Sequence, residues 1–360
     1  TWLRSTQALT AKHINPNPRH RRKNMISYSI FNALMPLSVI WSLFSNAFNF
    51  VYTAVETPLP EQCPPLGTLA IVTGSNTGIG YTTALGLAQC GVKVIIACRS
   101  KEKGEKAARE INEATGGSGN AEFLEALDLS SLESVAKFAE AVRGKYEKVD
   151  LLVNNAGINT SGTSQDGLDL CFQTNFLGHY HLTRLLLPNL LKSSSPRVVN
   201  LSSVMHHFGN DYSSVEEWEN VMAVGSDNSY ANSKLASILF TIELNSRYSD
   251  VGLRSISVNP GAVNSDIWRS FNPTLRKYVL GPAFSAIYLD TTQGASCSLA
   301  ASLSNDLNPE TIYLQPYAFP RATIGTGGAG ERSYDTTFPL FEMLGVYVGY
   351  SSTTPRLPTG

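Results

Sequence analysis

The stretch "TLAIVTGSNTGIG" at residues 68–80 constrains this chain more than any other. Its opening residues form a short apolar run rich in β-branched side chains, the pattern of a strand buried on both faces of a parallel sheet. Gly74, Gly78 and Gly80 follow in the spacing G-x-x-x-G-x-G, and a helix-forming stretch, "YTTALGLAQCG", then closes at Gly91. A strand that passes through glycines into a helix lets backbone approach a ligand closely and aims the helix's first N–H groups at it. A pyrophosphate is the ligand such a turn suits. The spacing is not the commoner G-x-G-x-x-G, so neighbouring segments must carry the reading.

They do so in order. "VKVIIAC" (92–98) reads as a second buried strand, ending about 20 residues past the glycines, where the ribose-reading residue of a dinucleotide site belongs. An acidic residue there would bond the free 2′-hydroxyl of NAD. Here Cys98 is followed by Arg99, Ser100 and Lys101. A guanidinium suits a 2′-phosphate, which predicts NADP(H) over NAD(H); the competing reading leaves Arg99 facing solvent. "KGEKAAREINEA" then reads as helix, "AEFLEALDL" as strand, "ESVAKFAEAVRGKY" as helix, and "VDLLVNNAG" as a strand ending in a polar turn. This alternation predicts an α/β fold with a Rossmann-type doubly wound parallel sheet. Asp128 and Asn155 fall at carboxyl ends of strands, where such sheets bind ligands. Asp128 could equally cap the helix that begins near Ser130, and "NNAG" is also ordinary turn composition.

In "SYANSKLASILF" (229–240), Tyr230 and Lys234 stand at i, i+4, one above the other on a helix face. Taken alone, the pair is an ordinary amphipathic contact. With T-G-x-x-x-G-x-G at 73–80, N-N-A-G at 154–157, the serine of "VVNLSSV" and Y-x-x-x-K at 230–234, residues 66–315 resemble the short-chain dehydrogenase/reductase family. "NFLGHYHLT", "VVNLSSVMHH" and "SKLASILF" are most similar to its retinol-dehydrogenase-like branch. The resemblance implies Tyr230 as general acid in carbonyl reduction and base in alcohol oxidation. Lys234 would lower its pKa and hold the nicotinamide ribose. It implies Ser203, with Ser202 as the adjacent candidate, bonding the substrate oxygen, and Asn175 positioning a water behind the lysine for proton relay. The implied cofactor set is Gly74, Ser75, Asn76, Gly78, Ile79, Gly80, Arg99, Asp128, Leu129, Asn155, Ala156, Gly157, Tyr230, Lys234, Pro260, Gly261, Val263 and Ser265. Ser265 stands where family members often carry threonine.

The near-neutral charge, −1 overall, argues against a nucleic-acid binder. Five scattered cysteines without a C-x-x-C pair suggest neither a disulfide framework nor a zinc site, and read as small buried hydrophobes. His206 and His207 are adjacent, and His179 and His181 are two apart on an expected helix, so no metal site is predicted.

Between Ile26 and Val55 there is no charged residue, and Arg19, Arg21, Arg22 and Lys23 precede the run. A membrane anchor, a cleaved targeting peptide with "SNA" at 45–47, and a helix on the protein's own surface all fit, since spanning takes about 20 apolar residues and eight Ser and Asn dilute these. The segments read as 1–24 leader or non-native extension, 25–56 membrane anchor or targeting segment, 57–65 linker, 66–315 a single catalytic domain binding NADP(H), and 316–360 C-terminal extension. Asn159-Thr160-Ser161 is a glycosylation acceptor that only a lumenal domain would use. Membrane association, at the endoplasmic reticulum or in another organelle, follows from the anchor reading.

Residues 205–229 and 264–290 read as irregular and pocket-forming, with Met205, Phe208, Trp218, Met222, Trp268, Phe271, Tyr278, Phe284 and Tyr288 as lining. Pockets for lipophilic ligands are lined this way, though so are cores. A small lipophilic substrate is expected: a retinoid, a sterol or a long-chain aldehyde or alcohol. "ETIYLQP" (310–316) reads as the last strand. The apolar "FPLFEMLGVYVGY" beyond it would cover the pocket, contact a membrane or join a homo-oligomer. Two functions remain in view, an NADP(H)-dependent oxidoreductase and a non-catalytic cofactor-binding regulator or scaffold; the presence of all four catalytic positions favours the first.

Overall fold

Alternating apolar residues on each strand build two cores at once, one on either face of a parallel sheet. A computed structural model of the chain describes residues 63–65, 67–116, 120–210, 212, 214–261, 263, 289–305, 307 and 311–314. The expectations for the apolar N-terminal segment, for residues 264–288 and for the C-terminal extension lie outside the described residues. Among the described residues no helix is long and apolar enough to cross a membrane.

The strands are β1 (Leu69–Thr73), β2 (Lys93–Ala97), β3 (Asn120–Phe123), β4 (Leu151–Asn154), β5 (Arg197–Leu201), β6 (Arg254–Val258) and β7 (Tyr313–Leu314). All pair in parallel, in the order β3-β2-β1-β4-β5-β6-β7, with Ile71 opposite both Ile95 and Leu152. The order reverses between β1 and β4, so the crevice beyond their carboxyl ends is where ligands bind in such sheets.

On one face pack α1 (Gly78–Gln89), α2 (Lys101–Ala114) and α8 (Thr291–Leu303). They cover Ala70, Val72, Val94, Ile96 and Val153 with a layer rich in small residues, including Ala84, Ala88, Ala107 and Ala295. At Gly86 of α1, a Cβ would come within 2.8 Å of Leu299 Cδ1, so α1 and α8 pack closely there. The opposite face carries α3 (Leu132–Lys145), α4 (Leu170–Phe172), a π-helical turn (Gln173–Leu177), α5 (Gly178–Leu190), α6 (Val215–Met222) and α7 (Ser229–Tyr248). Its core uses larger side chains, among them Phe138, Phe172, Phe176, Trp218 and Phe240.

That second face also holds a buried polar layer. Asn154 Nδ2 donates to Asn200 Oδ1 (2.8 Å) and Thr183 Oγ1 (3.1 Å), and Asn200 Nδ2 donates to Thr241 Oγ1 (2.9 Å) and Ser255 Oγ (3.3 Å). Hydroxyls from α5, α7 and β6 pair the two amide NH₂ groups away from water, while the Asn154 Oδ1 has no hydrogen-bond partner among the described residues. At the start of β5, Arg197 donates to the carbonyls of Ala301, Ser302 and Ser304, capping the end of α8.

Three expectations change. The strand read over "AEFLEALDL" ends at Phe123; beyond it the chain leaves the ladder, and Leu127 N–H returns to Cys98 O at 3.0 Å. Residues 205–229 are largely ordered rather than irregular: a 3-10 turn spans Val204–Phe208, and Ser214 caps α6 by accepting from Glu217 N. Trp218 and Met222 are therefore core, buried against the α3/α5/α7 face. Cys63 is exposed, whereas Cys90, Cys98, Cys171 and Cys297 are buried.

Candidate active site

β1 delivers the chain to Gly74 at φ +67°, where a Cβ would lie 3.1 Å from Ala156 Cα. Gly78 opens α1 at φ +58°, with open space where a side chain would be. At Gly80 a Cβ would meet Asn155 Nδ2 at 2.4 Å and Gly74 O at 2.5 Å, so the first turn of α1 lies directly on the loop and on the β4 turn. Ser75 faces inward: its hydroxyl donates to Val72 O (2.7 Å) and accepts from Ala97 N (3.1 Å), fastening the loop to β2. Asn76 is half-buried and Thr77 exposed beside it.

Helix α1 begins with no side-chain cap hydrogen bond and no acidic residue in its first turn. The next two helices differ, being capped by Ser100 and Ser131 with Glu102 and Glu133 in their first turns. An N-terminus with orphan N–H groups, no competing carboxylate and glycine clearance fits a dinucleotide pyrophosphate. Arg99 is exposed where β2 exits. Cys98 beside it is buried, donates to Ser100 O, and has its pKa raised by burial. Asp128 Oδ1 accepts from Ser130 N (3.0 Å) and Ser130 Oγ (2.7 Å), and Oδ2 from Gln165 Nε2 (3.1 Å); the helix cap itself is Ser131. Leu129 is buried with its carbonyl against Gly178, whose Cβ would lie 2.5 Å from it.

The β4 turn is held from β1. Thr73 Oγ1 accepts from both Asn155 N and Ala156 N at 2.9 Å, and Asn155 Nδ2 donates to Thr73 O at 2.7 Å. Gly157 is exposed, and a Cβ there would sit 3.5 Å from both Asn175 Oδ1 and Lys234 Nζ. Asn175 lies in the π-helical turn, a local distortion that recurs at functional sites. Its amide is engaged within the protein: Oδ1 accepts from Ile158 N (2.8 Å), while Nδ2 donates to Ile158 O (2.9 Å) and Ser233 Oγ (3.1 Å).

Ser202 and Ser203 part at the end of β5. Ser202 is buried and donates to Lys234 O at 2.8 Å. Ser203 lies beside the Tyr230 phenol and favours its ionised form. Alternation along an extended segment separates the two hydroxyls. On α7, Lys234 is buried with Nζ 5.6 Å from the Tyr230 ring centre, and donates to Leu201 O at 2.9 Å. Burial pushes its pKa down to about 8. The expected lowering of the Tyr230 pKa does not hold for the chain alone. Burial raises it to about 12, against a smaller downward pull from Ser203. Lys234 is itself desolvated and turned to a backbone carbonyl, so it does not offset that burial.

The β6 exit carries Asn259, whose Oδ1 accepts from Gly261 N at 3.0 Å; Gly261 has φ +81° and follows half-buried Pro260. Val263 is buried and bridges to Leu289, and with Ile79 it lies where a Cβ on Gly294 would be, at 2.5 Å and 3.4 Å. Ser265 lies outside the described residues. Among those described, no His, Cys, Asp and Glu side chains group as a metal site. Thr73, His179 and Gly294 belong to this constellation and were missed from sequence. Thr73 was legible as the strand's last residue; the other two carry no local signal.

A glycine-clad helix terminus at the switch point, with serine, tyrosine and lysine gathered beyond β5, defines a dinucleotide-dependent oxidoreductase of the doubly wound class. The chain belongs to the short-chain dehydrogenase/reductase family, the short chain dehydrogenase model matching residues 68–276, and is retinol-dehydrogenase-like within it. It is 41% identical to retinol dehydrogenase 11 of Mus musculus over 67% of this chain and 75% of that protein. It is 35% identical to retinol dehydrogenase 13 of Mus musculus over 76% of this chain and 83% of that one. An uncharacterized protein from Mycobacterium paratuberculosis superposes with a TM-score of 0.58 at 29% identity, covering 79% of this chain and 94% of that one. A short chain dehydrogenase from Shigella flexneri complexed with NADP shares the fold at 23% identity, TM-score 0.54, over 71% and 99% of the two chains. The chain is thus an oxidoreductase of alcohol and carbonyl groups from a family that uses a nicotinamide cofactor.

Proposed function

We propose that this protein is an NADP(H)-dependent oxidoreductase interconverting a lipophilic alcohol and its aldehyde or ketone, with Tyr230 as the proton donor or acceptor. The observation that carries the reading is the junction at one half-buried phenol, with Ser203 acting on it and Lys234 one helical turn along. The bound nicotinamide supplies the hydride. A phenol held near 12 stays protonated at neutral pH, so in reduction Tyr230 is ready to donate to the substrate oxygen while Ser203 orients that oxygen. Lys234 uses one of its three N–H donors on Leu201 O. The others serve the cofactor ribose, and its charge steadies the tyrosinate left after proton transfer. Asn175 contributes through its backbone carbonyl, since its side chain is bound to Ile158 and Ser233. Of the glycine-loop residues, Ser75 would contribute through backbone, its hydroxyl being engaged inside.

Arg99, exposed at the β2 exit with cysteine in place of an acid before it, supports a 2′-phosphate and hence NADP(H). The names of its retinol dehydrogenase relatives support a retinoid-like substrate. The uncharged run from Ile26 to Val55 supports membrane association, with the endoplasmic reticulum as the proposed site.

The test is NADPH oxidation by the full chain in detergent micelles with retinal and long-chain aldehydes, alongside NADH and Tyr230→Phe. We expect turnover with NADPH, at least about tenfold less with NADH, and a loss of about 10³-fold in kcat for Tyr230→Phe, within the range for one general acid. Tight NADPH binding without turnover on any of these carbonyls would defeat the reading.

A further inference from the structure

His179 is the only charged or chargeable side chain that joins β1, the β4 turn and the π-helical turn among the described residues. It is 3% exposed, on the first turn of α5. Nδ1 lies 2.9 Å from Asn175 O, and Nε2 lies 2.8 Å from Thr73 Oγ1. A carbonyl can only accept, so Nδ1 carries the proton and Nε2 is the acceptor. Thr73 then donates its one hydroxyl proton to Nε2 at 2.8 Å in preference to the Val153 carbonyl at 3.4 Å, while its oxygen receives the N–H groups of Asn155 and Ala156. The polarity of the whole chain is set: two turn amides donate to Thr73, Thr73 donates to His179, and His179 donates to the Asn175 carbonyl. Thr183, one turn along α5, donates to the His179 carbonyl at 2.8 Å and ties the same turn to Asn154.

We propose that His179 is a positioning residue that holds the Asn155–Gly157 turn and the Asn175 carbonyl in register through one fixed tautomer. The proposal rests on the oxidoreductase reading above for its kinetic consequence, but not for its structural one. Asn175 and Gly157 border Lys234: a Cβ on Gly157 would lie 3.5 Å from both the Asn175 amide oxygen and the lysine Nζ. A slip between the turn and the carbonyl therefore moves the walls around the ammonium. A second proton on the ring would point N–H at an oxygen whose lone pairs are both in use. Burial, aided by the nearby Lys234 charge and opposed by the bond to the Asn175 carbonyl, holds the pKa down to about 4. No carboxylate acts on the ring to reverse this.

Spectroscopy on the full chain in detergent micelles, ¹⁵N-labelled at its six histidines and without cofactor or substrate, tests the structural part. One imidazole, assigned by its loss in His179→Gln, should stay in the Nδ1–H form from pH 5 to pH 8, and Thr73→Val should shift its Nε2 resonance. An Nε2–H form, or titration near pH 6.5, would overturn the proposal whether or not the protein turns over any carbonyl. For the kinetic part, His179→Leu should lower kcat for aldehyde reduction about 100-fold, the scale of an ångström-level misplacement, with KM for NADPH changed less than about threefold. His179→Gln, whose amide O and N are spaced like the two ring nitrogens, should recover most of that loss. Adding Thr73→Val to His179→Leu should cost less than Thr73→Val costs in the wild type, since the two share one bond, although Thr73 also holds Asn155 and Ala156 by itself. Equal kcat losses in the Leu and Gln variants, or fully additive losses, would leave His179 as packing only. Absence of any wild-type turnover would defeat the oxidoreductase reading while the tautomer measurement still decides the bridge.

Discussion

The two faces of the sheet do different work with opposite materials. Under α1, α2 and α8, function depends on atoms that are missing: Gly74, Gly78 and Gly80 clear a space, and the α1 terminus is left without a cap. Under α3, α5 and α7, function depends on side chains that are present and paired: Asn175, Tyr230 and Lys234 stand on a layer of buried amides and hydroxyls. The lesson is that the first face should be injured by adding atoms, and the second by removing them.

The largest expected effect tests the first half of that statement. Gly80→Ala adds one carbon against Gly74 O at 2.5 Å, a backbone atom that cannot turn aside. We expect a loss of about 3 kcal/mol and weaker NADPH binding by about 100-fold, read by thermal unfolding and by cofactor fluorescence titration. Unchanged binding would break the contrast between the faces. Next, Asn200→Ala on the second face removes one partner each from Asn154, Thr241 and Ser255, leaving Asn154 on Thr183 and Thr241 on Ser237 and Ser257. A cost of about 2 kcal/mol is expected, with NADPH affinity nearly unchanged, because buried polar groups that lose a partner are what raise the cost.

The third effect is one of pH. His179 and His181, both on α5, have pKa values pushed down to about 4, chiefly by burial. An imidazole in the unfolded chain takes a proton near pH 6.5. The unfolded state thus binds protons first as pH falls, so stability declines between about pH 6.5 and pH 4 and is unaffected by these groups above that window. His179→Gln should make the decline of the unfolding midpoint shallower across it; an identical slope would show that the ring is not the group resisting protonation.

Legibility in the sequence follows the same division. The first face was readable because its signals are local: a β-branched run, glycines and a helix in sequence order, with Arg99 a fixed distance on. Tyr230 and Lys234 were readable too, since a helix fixes their relation. What escaped was tertiary. The His179 contacts join residues far apart in the chain, 106 positions in the case of Thr73, and no local pattern announces them. The π-helical turn around Asn175 leaves no periodicity to detect in five residues. The α6 helix was missed although Ser214 and Glu217 spell a cap, because aromatic residues there invited a pocket reading that Trp218, fully buried, does not support. Lowering of the Tyr230 pKa failed for a related reason: spacing gives proximity to Lys234 but says nothing of how deeply both are desolvated.

The strand order carries a consequence for biosynthesis. Among the described residues β1 is the first strand translated, yet it lies in the interior of the sheet, with β2 on one side and β4 on the other. Its outer edge meets β4 only after a long stretch of chain has been made; Leu69 waits 81 residues for the carboxylate of Asp150. At ribosomal rates of about 5–20 residues per second, this apolar edge stays unpaired for roughly 4–16 seconds. Nascent chains stalled before residue 150 should therefore be the aggregation-prone ones, and a chaperone that shields extended apolar segments should act chiefly in that interval.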